Sequence, residues 1–160
     1  MKKSVLSVLV VLFISAFITS TVFSQAIKPQ KTGKTPQEKS KNVINKTSNA
    51  IFEAQLAVKE GKNYTGDLAT AIRHQKFAQK LYSEKEFIKA AEHSLYARKH
   101  AVAACKANNR IVKPEYEKQP TAEVAATLRP DSDLVNEIAS QEEINEQDFT
   151  QGEAVNMKVE

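Results

Sequence analysis

Residues 67–107, DLATAIRHQKFAQKLYSEKEFIKAAEHSLYARKHAVAACKA, decide the fold class. Asp67 can cap a helix that carries Leu68, Ala71, Ile72, Ala78, Leu81 and Tyr82 inward, while Lys76, Gln79, Lys80 and Ser83 point outward. Ser83 to Glu86 leaves room only for a tight connection. A further helix follows from about Phe87 to Ala107, with Phe87, Ile88, Ala91, Leu95, Val102 and Cys105 in one broad stripe, and Asn108 and Asn109 end it. Upstream, Val43, Thr47, Ala50, Ala54 and Ala57 recur at threes and fours, flanked by Ile44, Ile51 and Val58. They predict a helix from near Asn42 to about Glu60, closed by Gly61 just past its C-cap. Long helices with short loops imply antiparallel neighbours, hence a three-helix bundle or a curved helical array. Its Ala-rich contacts allow close approach but bury little apolar area each, so the core is short of stabilisation.

The flanks differ sharply in charge. From Gln25 to Arg110 there are 17 Lys and Arg against 7 Asp and Glu, a net of +10; from Ile111 to Glu160 there are 4 against 12, a net of −8. A basic body joined to an acidic tail suggests loose electrostatic contact between them, or a tail that competes with a polyanion for the basic surface. Gln25 to Lys41 carries five Lys among Pro, Gly, Thr and Gln without apolar periodicity, and reads as a Lys-rich flexible linker. The helical domain spans 42–109. The acidic tail, 110–160, reads as largely disordered, with short helices near 121–128 and 132–147. In the latter, Leu134, Val135, Ile138 and Ala139 form a stripe too short to fold unless docked.

Residues 1–24 have the layout of a secretory signal peptide of bacterial look. Lys2 and Lys3 precede an uncharged apolar run from Val5 to Phe23, and Val22 and Ser24 suit cleavage between Ser24 and Gln25. The alternative is a membrane anchor over residues 5–23, whose 19 residues nearly span a bilayer core. Thr19, Ser20 and Thr21 speak against an anchor, whereas Lys28, Lys31 and Lys34 just beyond the run resist translocation. The expected destination is the periplasm or the exterior, where a single cysteine, Cys105, forms no internal disulfide.

Residues 74–102 resemble one tetratricopeptide repeat. On its template Phe77 and Ala78 stand for Leu and Gly, Leu81 fills an aromatic position, Phe87 fills the Tyr after the turn, and Ala90 and Ala97 fill the small-residue positions. The sequence departs from the template at His74 (first aromatic), Lys85 (turn Gly), Ser94 (second-helix aromatic) and Val102 (closing Pro). The resemblance implies a peptide- or protein-binding surface. The expected fold class is therefore all-α, a small antiparallel three-helix bundle or a TPR-like helical hairpin array, with the acidic tail largely disordered.

No nucleophile motif, phosphate loop, zinc-ligand cluster, calcium loop or dinucleotide fingerprint occurs, so neither a catalytic residue nor a cofactor or metal is expected. His93 and His100, seven apart, share a helix face two turns long, too far for one ion, and are expected to face solvent. His74, beside Ala78 and Leu81, is expected to be half-buried with one ring nitrogen bonded to backbone or water. Cys105 is expected to be a buried thiol; the alternative is a link between two protomers. Arg98 falls inside the apolar stripe. Its stem is expected to lie along the core with the guanidinium snorkelling outward; a buried pair with Glu53 or Asp67, or an anion-binding groove, are the alternatives.

Phe52 and Leu56 lie on the far side of the first helix, and a helix apolar on two sides has a second contact to make. With Arg98 they are the candidate partner-contact residues. The sequence thus points to a non-enzymatic protein–protein interaction module that binds a macromolecule, most simply a protein or a second copy. The alternative is a polyanion or membrane-surface binder using the basic half; nucleic acid is not expected.

Overall fold

Thr35 starts the first helix. Its hydroxyl accepts from the Glu38 N–H at 3.2 Å, the Glu38 carboxylate accepts from the Thr35 N–H at 2.8 Å, and Pro36 holds the first helical position. This capping box begins α1 (Pro36–Gly61) ahead of the apolar periodicity. Residues 36–41, read as linker, are therefore helical; their signal is the cap and not a buried stripe. The computed structural model describes residues 33–118, 128–141, 143–151 and 156–160. The signal peptide read over 1–24, its cleavage site, the linker up to Thr32 and most of the helix read near 121–128 lie outside them.

Among the described residues every regular element is helical. α2 (Asp67–Ser83) and α3 (Phe87–Ala107) follow α1, and three short helices follow them: α4 (Pro114–Glu117), α5 (Asp131–Glu137) and α6 (Asp148–Gln151). The C-terminal ends of α1 and α3 meet, where the Asn108 side chain accepts from the Asn63 N–H at 2.9 Å and donates to its carbonyl at 3.0 Å, and the Asn63 side chain donates to the Ala107 carbonyl at 2.9 Å. Ile44, early in α1, instead clusters with Ala78 and Leu81, late in α2. α1 and α3 therefore run the same way and α2 the opposite way.

Two glycine positions differ from the sequence reading. Gly61 is the last helical residue and Lys62, at φ 55°, takes the left-handed cap. Gly61 is needed for another reason, because a Cβ there would collide with the Asn108 side chain. At the start of α2 the N-cap is Gly66 at φ 84°, and Asp67 is the first helical residue. The turn between α2 and α3 puts Lys85 at φ 66°. An L side chain in that region costs about 1 kcal/mol, so Lys85→Gly should raise stability by roughly that amount in urea melts.

The α2 pattern is largely as predicted: Leu68, Ala71, Ile72, Ala78 and Leu81 are buried, while Tyr82, expected inward, and Gln79, expected outward, are both half-buried. The α3 stripe holds only in part, at Ala91 and Cys105. Ile88 is 52 % exposed, and the fully buried positions are Ala90, Ala97, Ala101 and Ala104 together with His93 and Ser94. α3 packs on α1 and α2 at once and is covered by α4 and α5 as well, so it has no solvent face broad enough for a one-sided stripe.

Where it is described, the acidic tail packs in part against the body. Tyr116, Leu134, Ile138 and Met157 are buried. The helix expected over 132–147 is shorter, ending at Glu137 and passing into turns. Val135 stays exposed, so the docked stripe is Leu134 and Ile138.

Candidate functional site

The groove between α1 and α2 holds residues 156–160. Met157, 1 % exposed, enters the main apolar cluster with Ile51, Ala54, Leu68 and Ile72. Its N–H donates to the Ser48 hydroxyl at 3.2 Å, and its carbonyl accepts from the Gln75 side chain at 3.1 Å. Asn45 accepts from the Val159 N–H at 2.8 Å and donates to the Val159 carbonyl at 3.1 Å. Gln79 donates to the Lys158 carbonyl at 3.2 Å. Two helices thus supply four polar side chains that each bond the main chain of one segment.

Sequence periodicity does not reveal these four residues, because Asn and Gln on a helix read as solvated. Gln75 is fully buried, with its amide also bonded to the Ile44 carbonyl and its oxygen accepting from Ser94. A buried amide is tolerated only when so paired.

A second tail contact closes the end of α2. The Glu146 carboxylate accepts from the Gly66 N–H at 2.9 Å and the Leu68 N–H at 2.8 Å. Gly66 has no side chain to cap the helix, and a carboxylate at that positive end does so instead. On α1, Gln55 donates to the Phe149 carbonyl at 2.7 Å.

The histidines correct the sequence reading. His93, expected at the surface, is fully buried: Nε2 meets the Glu137 carboxylate at 2.8 Å and Nδ1 meets Nδ1 of His74 at 3.0 Å. His74 is fully buried as well, and its partner is another imidazole. A carboxylate only accepts, so Nε2 of His93 carries the proton, and the bare Nδ1 of neutral His93 then accepts from Nδ1–H of His74. Burial lowers the pKa of both rings, that of His74 to about 3. For His93 the neighbouring Glu137 opposes that shift, but complete burial outweighs one partly exposed carboxylate, and the contact is a hydrogen bond from a neutral ring. Glu137 is held down to about 2, chiefly by Arg129, which also bonds the buried Glu92. His100 is partly exposed and binds Asp67 at 2.8 Å. No group of three or more His, Cys, Asp or Glu among the described residues could hold a metal ion.

Arg98 does not snorkel. It is 2 % exposed, with Nε donating to the Thr47 hydroxyl at 3.1 Å and a terminal nitrogen donating to the Val43 carbonyl at 3.1 Å. The carboxylates proposed for it are engaged elsewhere, Glu53 with Arg110 and Asp67 with His100. Arg98 ties α3 to α1 and presents no free cation to a partner. Arg98→Met keeps the stem and strips two buried acceptors of their donors; a loss of about 2 to 4 kcal/mol should appear in urea unfolding, and a change under about 0.5 kcal/mol would contradict this role.

Phe52 is 41 % exposed and Leu56 half-buried, so the second apolar side of α1 is partly open. The thiol of Cys105 is buried, which pushes its pKa up to about 11 and leaves it protonated. Among the described residues no helix is long and apolar enough to cross a membrane. Comparison with protein-family models, with curated proteins and with solved structures finds no match to this chain.

Proposed function

We propose that this protein is a non-enzymatic protein-binding module whose α1–α2 face receives polypeptide segments. The observation that carries the reading is the set of side-chain-to-main-chain bonds by which Asn45, Ser48, Gln55, Gln75 and Gln79 hold Phe149 and residues 157–159. Such bonds recognise a polypeptide as such. The architecture is read as an antiparallel three-helix bundle whose last two helices form a tetratricopeptide-like hairpin. Its support is the short connection at Glu84–Glu86 and the complete burial of Ala90 and Ala97 at the template's two small positions. The exported location proposed from residues 1–24 would put the partner outside the cytoplasm.

The polyanion or membrane-surface reading draws on the +10 body. Against it, tail carboxylates already meet two of those cations, in Lys99–Asp131 and Lys106–Glu117. The intact chain, immobilised, should enrich binders from a displayed random-peptide library, with retention little changed by salt. Failure to enrich, together with salt-sensitive retention on anionic liposomes, would reject protein binding in favour of the electrostatic reading.

A further inference from the structure

Residues 156–160 sit in the α1–α2 groove as a ligand sits in a receptor. Exposure alternates along them: Asn156, Lys158 and Glu160 are exposed, Met157 is buried and Val159 is half-buried. That is the period of an extended strand, with residues two apart on one face. Met157 enters the main cluster and Val159 packs on Ile44, Ala78 and Leu81. Asn45 meets Val159 with an acceptor and a donor together, as the edge of a neighbouring strand would.

The polar part of this recognition carries no sequence, since every bond goes to main-chain atoms. Sequence enters through the two apolar side chains and through the N–H groups of Met157 and Val159, both of which the groove uses. The fully buried Gln75 shares its amide between the Ile44 carbonyl and the Met157 carbonyl, so the segment completes a buried polar network and does more than hide apolar area. Gln75 and Ser48 are buried polar groups whose partners include main-chain atoms of an occupant, which makes the groove a built site.

We infer that the α1–α2 groove is a receptor site for an extended peptide with apolar side chains two positions apart, the first unbranched like Met and the second branched like Val, with proline at neither. Residues 156–160 occupy it in cis as a built-in competitor. This rests on the protein-binding reading above and names its site and its regulation. A tethered segment presents itself at an effective concentration of about 1 mM, so an outside peptide must exceed that competition or arrive when the segment is released.

The test uses an acetylated, fluorescein-labelled heptapeptide with the sequence of residues 154–160, AVNMKVE. Full-length chain carrying Met157→Asp with Val159→Asp should bind it at least about tenfold more tightly than the unsubstituted chain. Adding Asn45→Ala should remove most of that gain, and a heptapeptide with proline in place of its Met or Val should not bind. Equal affinity for both chains, or undiminished binding of the proline peptides, would overturn the inference.

Should the double variant fail to fold, the unsubstituted chain decides. The protein has two methionines, so a methyl-labelled sample gives a readily assigned Met157 signal. Millimolar unlabelled heptapeptide should move that signal from its buried position to that of a free side chain; an unmoved signal overturns the inference. So does a concentration-dependent dimer whose 156–160 segments lie in each other's grooves. Library peptides that bind the intact chain and resist the heptapeptide would sink the groove assignment while leaving protein binding in place. A library that yields nothing removes both.

Discussion

A chain ending at Arg110 should melt at least about 10 °C below the intact protein. The cut removes Tyr116, Leu134, Ile138 and Met157 from buried positions. Each is worth about 1.5 to 3 kcal/mol before ordering costs, and a domain of this size shifts by several degrees for each net kcal/mol. Polar losses add to this. Asn45, Ser48 and Gln75 lose main-chain partners, and the Gly66 and Leu68 N–H groups lose the carboxylate that caps α2. Circular dichroism melts of the two chains measure the difference. A midpoint within about 2 °C of the intact value would mean that the body stands without its tail.

Acid should weaken the fold in two overlapping stages. His74 has an ordinary pKa of 6.5 and a folded value of about 3, lowered chiefly by burial. His93 is shifted in the same direction, again by burial. Between those values the unfolded chain binds protons that the folded chain refuses. The stability held by the neutral pair is therefore complete above pH 6.5 and is lost as pH falls toward 3. Glu137, lowered from 4.5 to about 2 with Arg129 as the main cause, adds a second loss as pH falls from 4.5 to 2.

The thermal midpoint should drop on the order of 10 °C between pH 7.5 and pH 4.5. His74→Asn offers an amide donor near the place of Nδ1 without titrating, so it should flatten the upper part of that fall. A midpoint independent of pH over this range would show that the two rings are not buried as a neutral pair.

The long helices were legible because apolar side chains recur at helical spacing on α1 and α2, where one face meets the core. α3 was less so. It has partners on several sides, and polar residues such as Glu92 and His93 are buried because Arg129 and Glu137 arrive from beyond position 128. Periodicity within a helix carries no trace of a partner 37 or 44 residues away. The same limit applies to the groove. Met157 and Val159 are two apolar residues in a short polar stretch, too few to register as a strand, and Asn45, Gln75 and Gln79 look like solvated helix positions until their main-chain partners are known. Leu134 and Ile138, four apart, did carry enough pattern to mark a docking helix. Arg98 was conspicuous in sequence as a cation inside an apolar stripe, but a threonine hydroxyl and a helix carbonyl 51 and 55 residues upstream are partners that no charge pattern points to.

Amide hydrogen exchange of residues 156–160 in the intact protein is the most direct test of the central claim, that this segment lies extended in the α1–α2 groove and is held there by its main chain. The Met157 and Val159 amides, which donate to Ser48 and Asn45, should exchange at least about a hundredfold more slowly than in an unstructured chain, with Glu160 close to the free rate. Free exchange at both Met157 and Val159 would contradict the account.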